Sequence, residues 1–225
     1  MKRINHYPGL WWYISAVLAL CLGIVIAARQ FPGGFDWHYT VASALASHRN
    51  NPDGSLWYAA GFGLSMALHW KYVSTIKHQL VTGQSGADRF ALVSLRIGLA
   101  AGVLLGIEGI FIRDLGQWLT KGHEVLGIVA FIGLYLGLLV FQIRAMARQR
   151  VYIIAALLVT VPLVAIGLSQ LWLFLAQRDI GWLNTDWREL GVPVWLSFAF
   201  WQWLAIVFLT IGFASLSLIG KRKTA

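Results

Sequence analysis

Six stretches of the chain are long, apolar and poor in charge: Leu10–Ala28, Leu56–Thr75, Ala91–Ile112, Glu124–Ile143, Val151–Ala176 and Val194–Ile219. Each has roughly the 17–25 residues that carry a helix across a hydrocarbon core of about 30 Å. None alternates with a period of two, so the strands of a membrane barrel are not predicted. The pattern predicts an all-α polytopic membrane protein, a bundle of six transmembrane helices forming one domain over residues 1–225. No internal repeat or low-complexity tract suggests a second domain.

The connectors differ sharply. The first, Phe31–Trp57, is long and chemically varied, with Pro32-Gly33-Gly34 closing the exit from the first helix. Asp36 or Thr40 is placed to cap a short interfacial helix reaching about Ser47, with Trp37, Val41, Ala44, Leu45 and His48 along one side. Asn50-Asn51-Pro52-Asp53-Gly54 is a turn signal, since Asn and Gly tolerate left-handed backbone and Pro presets the turn. The apolar side of this helix has only the bundle mouth or the lipid interface to cover it, so Trp37 and Leu45 are expected to be buried. Within the third span, Gly98, Gly102 and Gly106 recur every four residues, with Gly109 on the same face. Small residues at that spacing let membrane helices approach closely, which places this helix at the centre with two neighbours.

Composition supports the membrane reading. Of 225 residues, 58% are hydrophobic and only 12% charged, against about 25% charged in a typical soluble domain. The net charge of +9 is distributed by side. Lys2, Arg3, Lys71, Lys77, Arg89, Arg96, Arg144, Arg148, Arg150, Lys221, Arg222 and Lys223 fall at the termini and the second and fourth connectors, or within a turn of them. The other side has Arg29, Arg49, Arg113, Lys121, Arg178 and Arg188, together with most of the acids. The positive-inside rule therefore puts both termini in the cytoplasm and Phe31–Trp57 outside. The charge is a topology signal, and no nucleic-acid partner is implied. The expected partners are membrane lipids, with a membrane-protein partner or a second copy of the chain left open. A bacterial inner membrane is the expected location, and a eukaryotic endomembrane the alternative. Leu10–Ala28 is too long for a signal-peptide core and is read as retained. The single cysteine, Cys21, lies within this helix, can form no intrachain disulfide, and is expected to be buried.

Ionisable groups inside such helices carry the candidate chemistry. Glu108 lies about one turn from the outer end of the third helix, where a carboxylate must be paired, protonated or hydrated. Its expected partners are Arg113, another donor of the outer loops, or a ligand. His123 and Glu124 open the fourth helix at the same depth, after Asp114. With Asp36, His38 and His48 they assemble the imidazoles and carboxylates of one outer-leaflet site. Glu108, His123, Asp36 and His38 are the candidate catalytic residues. Ser43, His48, Asn51, Gln170, Gln202 and Arg113 are the candidate substrate-binding ones. A metal would use His38, His48, Glu108 and His123, but their spacing matches no metal motif, so no metal is assigned. The sequence leaves the cofactor open. His69 lies in the cytoplasmic half of the second helix and at the wrong depth to pair with His123 as haem ligands. It is expected to bond a neighbouring carbonyl. A serine nucleophile from Ser43, Ser47 or Ser55 lacks a nucleophile-elbow motif.

Asn51-Pro52-x-Gly54 just before the second helix, the glycine-rich third helix ending at Gly109-x-Phe111, and His123 resemble the Frag/DRAM/Sfk-type six-helix membrane proteins and their prokaryotic relatives. Asp36, His38 and Ser43 loosely echo a Ser-Asp-Thr-Gly-like segment of the eukaryotic members. Trp201-Gln202-Trp203 stands where the family often has an acid before an aromatic residue. The resemblance implies lipid-linked work: lipid-anchor remodelling, lipid homeostasis or membrane trafficking. Three functions are therefore weighed. The first is headgroup binding in an outer-leaflet polar pocket. The second is an intramembrane lipid hydrolase or transferase, with or without a metal, and the third an assembly subunit of a membrane complex.

Overall fold

The computed structural model describes residues 9–81, 85–111, 116–177 and 193–221. They form six long helices and one short one: α1 (Leu10–Arg29), α2 (Ala42–Ala46), α3 (Ser55–Leu80), α4 (Gly86–Phe111), α5 (Gly116–Arg148), α6 (Ile153–Gln177) and α7 (Phe198–Lys221). Among the described residues there is no strand. Five helices, all the long ones except α3, contain a stretch long and apolar enough to cross a membrane.

The long helices alternate in direction. Gly9, just before α1, meets Tyr72 and Thr75 of α3, while Gly23 of α1 meets Gly61. Gly63 of α3 meets Gly106 of α4, and Gly98 of α4 meets Gly133 of α5. The Gly23–Gly61, Gly63–Gly106 and Gly98–Gly133 pairs bring two backbones together where a side chain would hold them apart, the van der Waals packing that substitutes for a hydrophobic drive inside lipid. The glycine stripe does give α4 two neighbours, α3 and α5. It does not put α4 at the centre, however. α4 closes one side of the bundle, whereas α7 touches α1, α3, α5 and α6.

α3 is less apolar than the others because much of it never meets lipid. Held among α1, α4 and α7, it buries Ser65, His69, Tyr72 and Val73 and carries Lys71 and Lys77 towards its end. Tyr72 Oη donates to the Phe213 carbonyl of α7 at 3.0 Å, and Tyr13 Oη of α1 to that of Thr210 at 3.2 Å. The outer faces of the other helices expose large apolar side chains, including Leu22, Val93, Ile132, Ile154, Leu168 and Val207. In water a belt of that extent would drive association. In a bilayer it is the required surface.

The first connector packs onto one end of the bundle but with a shorter helix than expected. Only Ala42–Ala46 is helical, and neither Asp36 nor Thr40 caps it. Asp36 Oδ1 instead accepts from the His38 backbone N–H at 2.9 Å, a local turn that competes with helix. Leu45 is fully buried, but Trp37 is 45% exposed, packed edgewise on Phe35 and Trp203 with one face open. Cys21 is likewise exposed, on the outer face of α1.

Candidate functional site

Beneath α2, the helices α3, α5 and α7 leave a cavity of about 190 Å³. Its walls are apolar: Phe62 and Met66 of α3, Phe131 and Leu134 of α5, Ile206 and Leu209 of α7. Ser43 of α2, His123 of α5 and Gln202 of α7 line its α2 end, and His69 and Phe213 its floor. From Tyr58 to His69, from His123 to Leu134 and from Gln202 to Phe213, each wall runs eleven residue steps, about 16 Å at roughly 1.5 Å per residue. The cavity is therefore a narrow slot, with polar groups at its ends and hydrocarbon between.

Glu108 and His123 are joined across the α4–α5 seam. His123 Nδ1–H donates to Glu108 Oε2 at 2.8 Å, and the two side chains are 37% and 19% exposed. His123 does not open its helix, since α5 starts at Gly116 and the histidine lies two turns inside. Those extra turns bring it level with Glu108, which is one turn short of the end of α4. In the neutral imidazole the carboxylate holds the proton on Nδ1, which leaves the lone pair on Nε2, and Nε2 has no partner among the described residues. This is the arrangement in which an imidazole accepts a proton or a ligand hydrogen bond.

The other polar residues have distinct places. Gln202 Oε1 accepts from the Ala42 backbone N–H at 2.8 Å, pinning α2 over the slot and leaving the amide nitrogen without a partner among the described residues. Ser43 is exposed at the slot's mouth. Asn51 is fully buried and does not line the slot. His48 is exposed. Asp36 and His38 form their own solvent-facing pair at 3.2 Å, on the outer side of α7 rather than with Glu108 and His123. The expected single cluster is thus two pairs, because the first connector turns its polar edge towards solvent. Among the described residues no three His, Cys, Asp or Glu side chains gather as a metal site would need. Arg113 and the side chain of Gln170 lie outside the described residues, as does Asp114.

His69, as expected, bonds a carbonyl: Nδ1–H donates to Ser65 O at 3.0 Å, one turn earlier. The ring packs against Phe213 at 4.4 Å, and Nε2 has no hydrogen-bond partner among the described residues. The slot's existence was not readable from spacing, since its lining comes from α1, α2, α3, α4, α5 and α7, whose apolar faces look alike in sequence.

A groove of about 560 Å³ runs along the outside between α1 and α7. Leu20, Ile206 and Thr210 border both the groove and the slot, so a single layer of side chains separates the slot from the bundle's lipid-facing surface.

Long apolar helices, a belt of exposed hydrocarbon and a polar-ended internal slot define a multi-pass helical membrane protein. No family model, curated protein or solved structure matches the chain.

Proposed function

We propose that the protein binds one hydrocarbon chain of a membrane lipid in the slot, with the lipid's polar end at Glu108, His123 and Gln202. The observation that carries this reading is the slot itself: an apolar interior with a carboxylate–imidazole pair at one end. Its volume, about 190 Å³, is closer to the roughly 150 Å³ of a cavity that holds benzene than to the ~300–1,000 Å³ of a drug-sized site. It takes one chain segment, and the rest of the ligand stays outside. The thin wall of Leu20, Ile206 and Thr210 supports entry from the bilayer between α1 and α7. In this reading α3 is a sixth crossing, the α2 end faces outward and both termini are cytoplasmic. Supporting this orientation, Lys71, Lys77, Arg89, Arg96, Arg144 and Arg150 all belong to the opposite half. The membrane is a bacterial inner membrane, and the lipid-linked role agrees with the resemblance to Frag/DRAM/Sfk-type proteins.

A second reading, ester hydrolysis, is favoured by the free Nε2 of His123. There the imidazole takes a proton from an attacking water while the Gln202 amide supports the developing oxyanion. The acyl carbon–oxygen bond breaks, and the proton passes to the leaving alcohol.

One probe tests both. A monoacylglycerol carrying a diazirine at its chain end should crosslink within the slot, at Phe131, Leu134 or Leu209. Gly127→Trp, which fills the slot from α5, should abolish that labelling. Labelling spread evenly over Leu22, Val93 and Leu168, unchanged by Gly127→Trp, overturns the binding reading. Glycerol release by the wild type that falls at least about a hundredfold in His123→Ala supports hydrolysis. Labelling without release leaves binding and removes hydrolysis.

A further inference from the structure

At the end of the bundle away from α2, the facing ends of α3 and α4 flank an open cavity of about 440 Å³. α4 contributes Arg89, Leu92, Val93 and Arg96, and α3 contributes Lys77 and His78 with Val81. Positions 89, 92, 93 and 96 have the three- and four-residue spacing that lines up one helix face. Two arginines therefore flank an apolar step, opposite a lysine and a histidine from the neighbouring helix.

Cations gathered in this way repel one another unless an anion joins them. The nearest acid in sequence, Asp88, is not that anion. Its side chain is 3% exposed, and it is paired with Arg144 of α5 at 2.6 Å. Among the described residues, Lys77, Arg89 and Arg96 form no ion pair. Arg96 is held in place, its guanidinium 5.9 Å from the centre of the Trp70 ring. Its Nε is nevertheless buried without a hydrogen-bond partner among the described residues. A buried N–H on a charged group is costly to leave unmade, and each such case in a folded chain calls for an acceptor.

We infer that this cavity binds the phosphate of an anionic membrane lipid, independently of the ligand of the central slot. A phosphate offers the several acceptor oxygens that two guanidinium groups and an ammonium satisfy together. The lipid source is chosen because the cavity is not walled by polar groups alone. Leu92 and Val93 lie between the arginines, and Val93 is 53% exposed on the lipid-facing side. The glycerol and acyl chains follow that apolar step into the bilayer while the headgroup stays among the cations. Basic pockets between helix ends at a membrane surface have this effect generally, each added cation strengthening the hold on anionic lipid.

The test uses the purified full-length protein in a neutral detergent, titrated with dioleoyl phosphatidylglycerol or dioleoyl phosphatidylcholine and read by native mass spectrometry. The two lipids share their chains, so their difference reports the headgroup. The wild type should bind phosphatidylglycerol about tenfold more tightly than phosphatidylcholine. Arg89→Gln with Arg96→Gln should bring the two within about twofold of each other, leaving phosphatidylcholine binding unchanged. Equal binding of the two lipids by the wild type overturns the proposal, as does a preference that survives the double substitution. If the double variant does not fold, Lys77→Gln must reduce the preference at least about threefold, and a preference unaffected by it overturns the site. Inorganic phosphate at millimolar concentration should neither displace phosphatidylglycerol nor raise the melting temperature. If it does both, the site is one for free phosphate, and the lipid assignment is wrong.

Discussion

At the scale of single residues, Asn51 shows how one side chain can tie three elements. Its Nδ2 donates to Ala27 O at 3.0 Å and to Leu45 O at 3.2 Å, and its Oδ1 accepts from the Gly54 backbone N–H at 3.1 Å. These groups lie at the end of α1, near the end of α2 and at the start of α3, where helices leave backbone groups unpaired. Asn51→Ala should strip all three bonds and leave buried polar atoms unsatisfied, costing about 2–4 kcal/mol. Melting in detergent measures it, and a change below about 0.5 kcal/mol would refute the clamp. The sequence marks Asn51 as a turn residue and a candidate for substrate, but its full burial makes it a structural tie. The Glu108–His123 bond is a different case. The residue types and the shared depth were legible, whereas the direct contact depended on α5 beginning two turns earlier than its apolar span.

Between elements, glycine contacts set the spacing. A Cβ on Gly98 would lie 2.6 Å from the backbone nitrogen of Leu134 and 2.9 Å from the Ala130 carbonyl oxygen. Neither can move without shifting α5 bodily. Gly98→Ala should therefore cost about 1–3 kcal/mol by overpacking and loosen the seam that presents Glu108 to His123. Gly167 in α6 has open space around its Cβ position, so Gly167→Ala should leave the melting temperature unchanged or raise it. Equal losses in the two variants would show that the cost comes from helix chemistry rather than from contact. The stripe at Gly98, Gly102 and Gly106 announces close approach in the sequence. Which face of which partner it meets is a property of the bundle. That is why the expected central helix turns out to be a side wall with two neighbours.

For the whole molecule, orientation is the property with the clearest test. With Cys21 first replaced, a cysteine introduced at Ser47 should react with a membrane-impermeant maleimide added to intact cells. Protection of that site until the membrane is breached would overturn the outward placement of α2 and of the slot's polar end with it. The all-helical membrane character and the bias of positive charge are read from the sequence alone, because a bilayer imposes a minimum length and a polarity on each segment separately. The helix ends are not, as α5 running from Gly116 to Arg148 shows. α3 marks the limit of that rule. With one side packed against α1, α4 and α7, it buries His69 and Ser65 there and carries the exposed Lys71 towards its end, and so falls below the apolarity of its neighbours. The slot, the α1–α7 groove and the basic cavity between α3 and α4 were decided only by tertiary structure. Each is a space left where several helices fail to touch, and it depends on the rotation of every helix about its own axis. In lipid, apolar faces are interchangeable to the solvent, so that rotation is fixed by glycine contacts and a few hydrogen bonds rather than by the hydrophobic pattern.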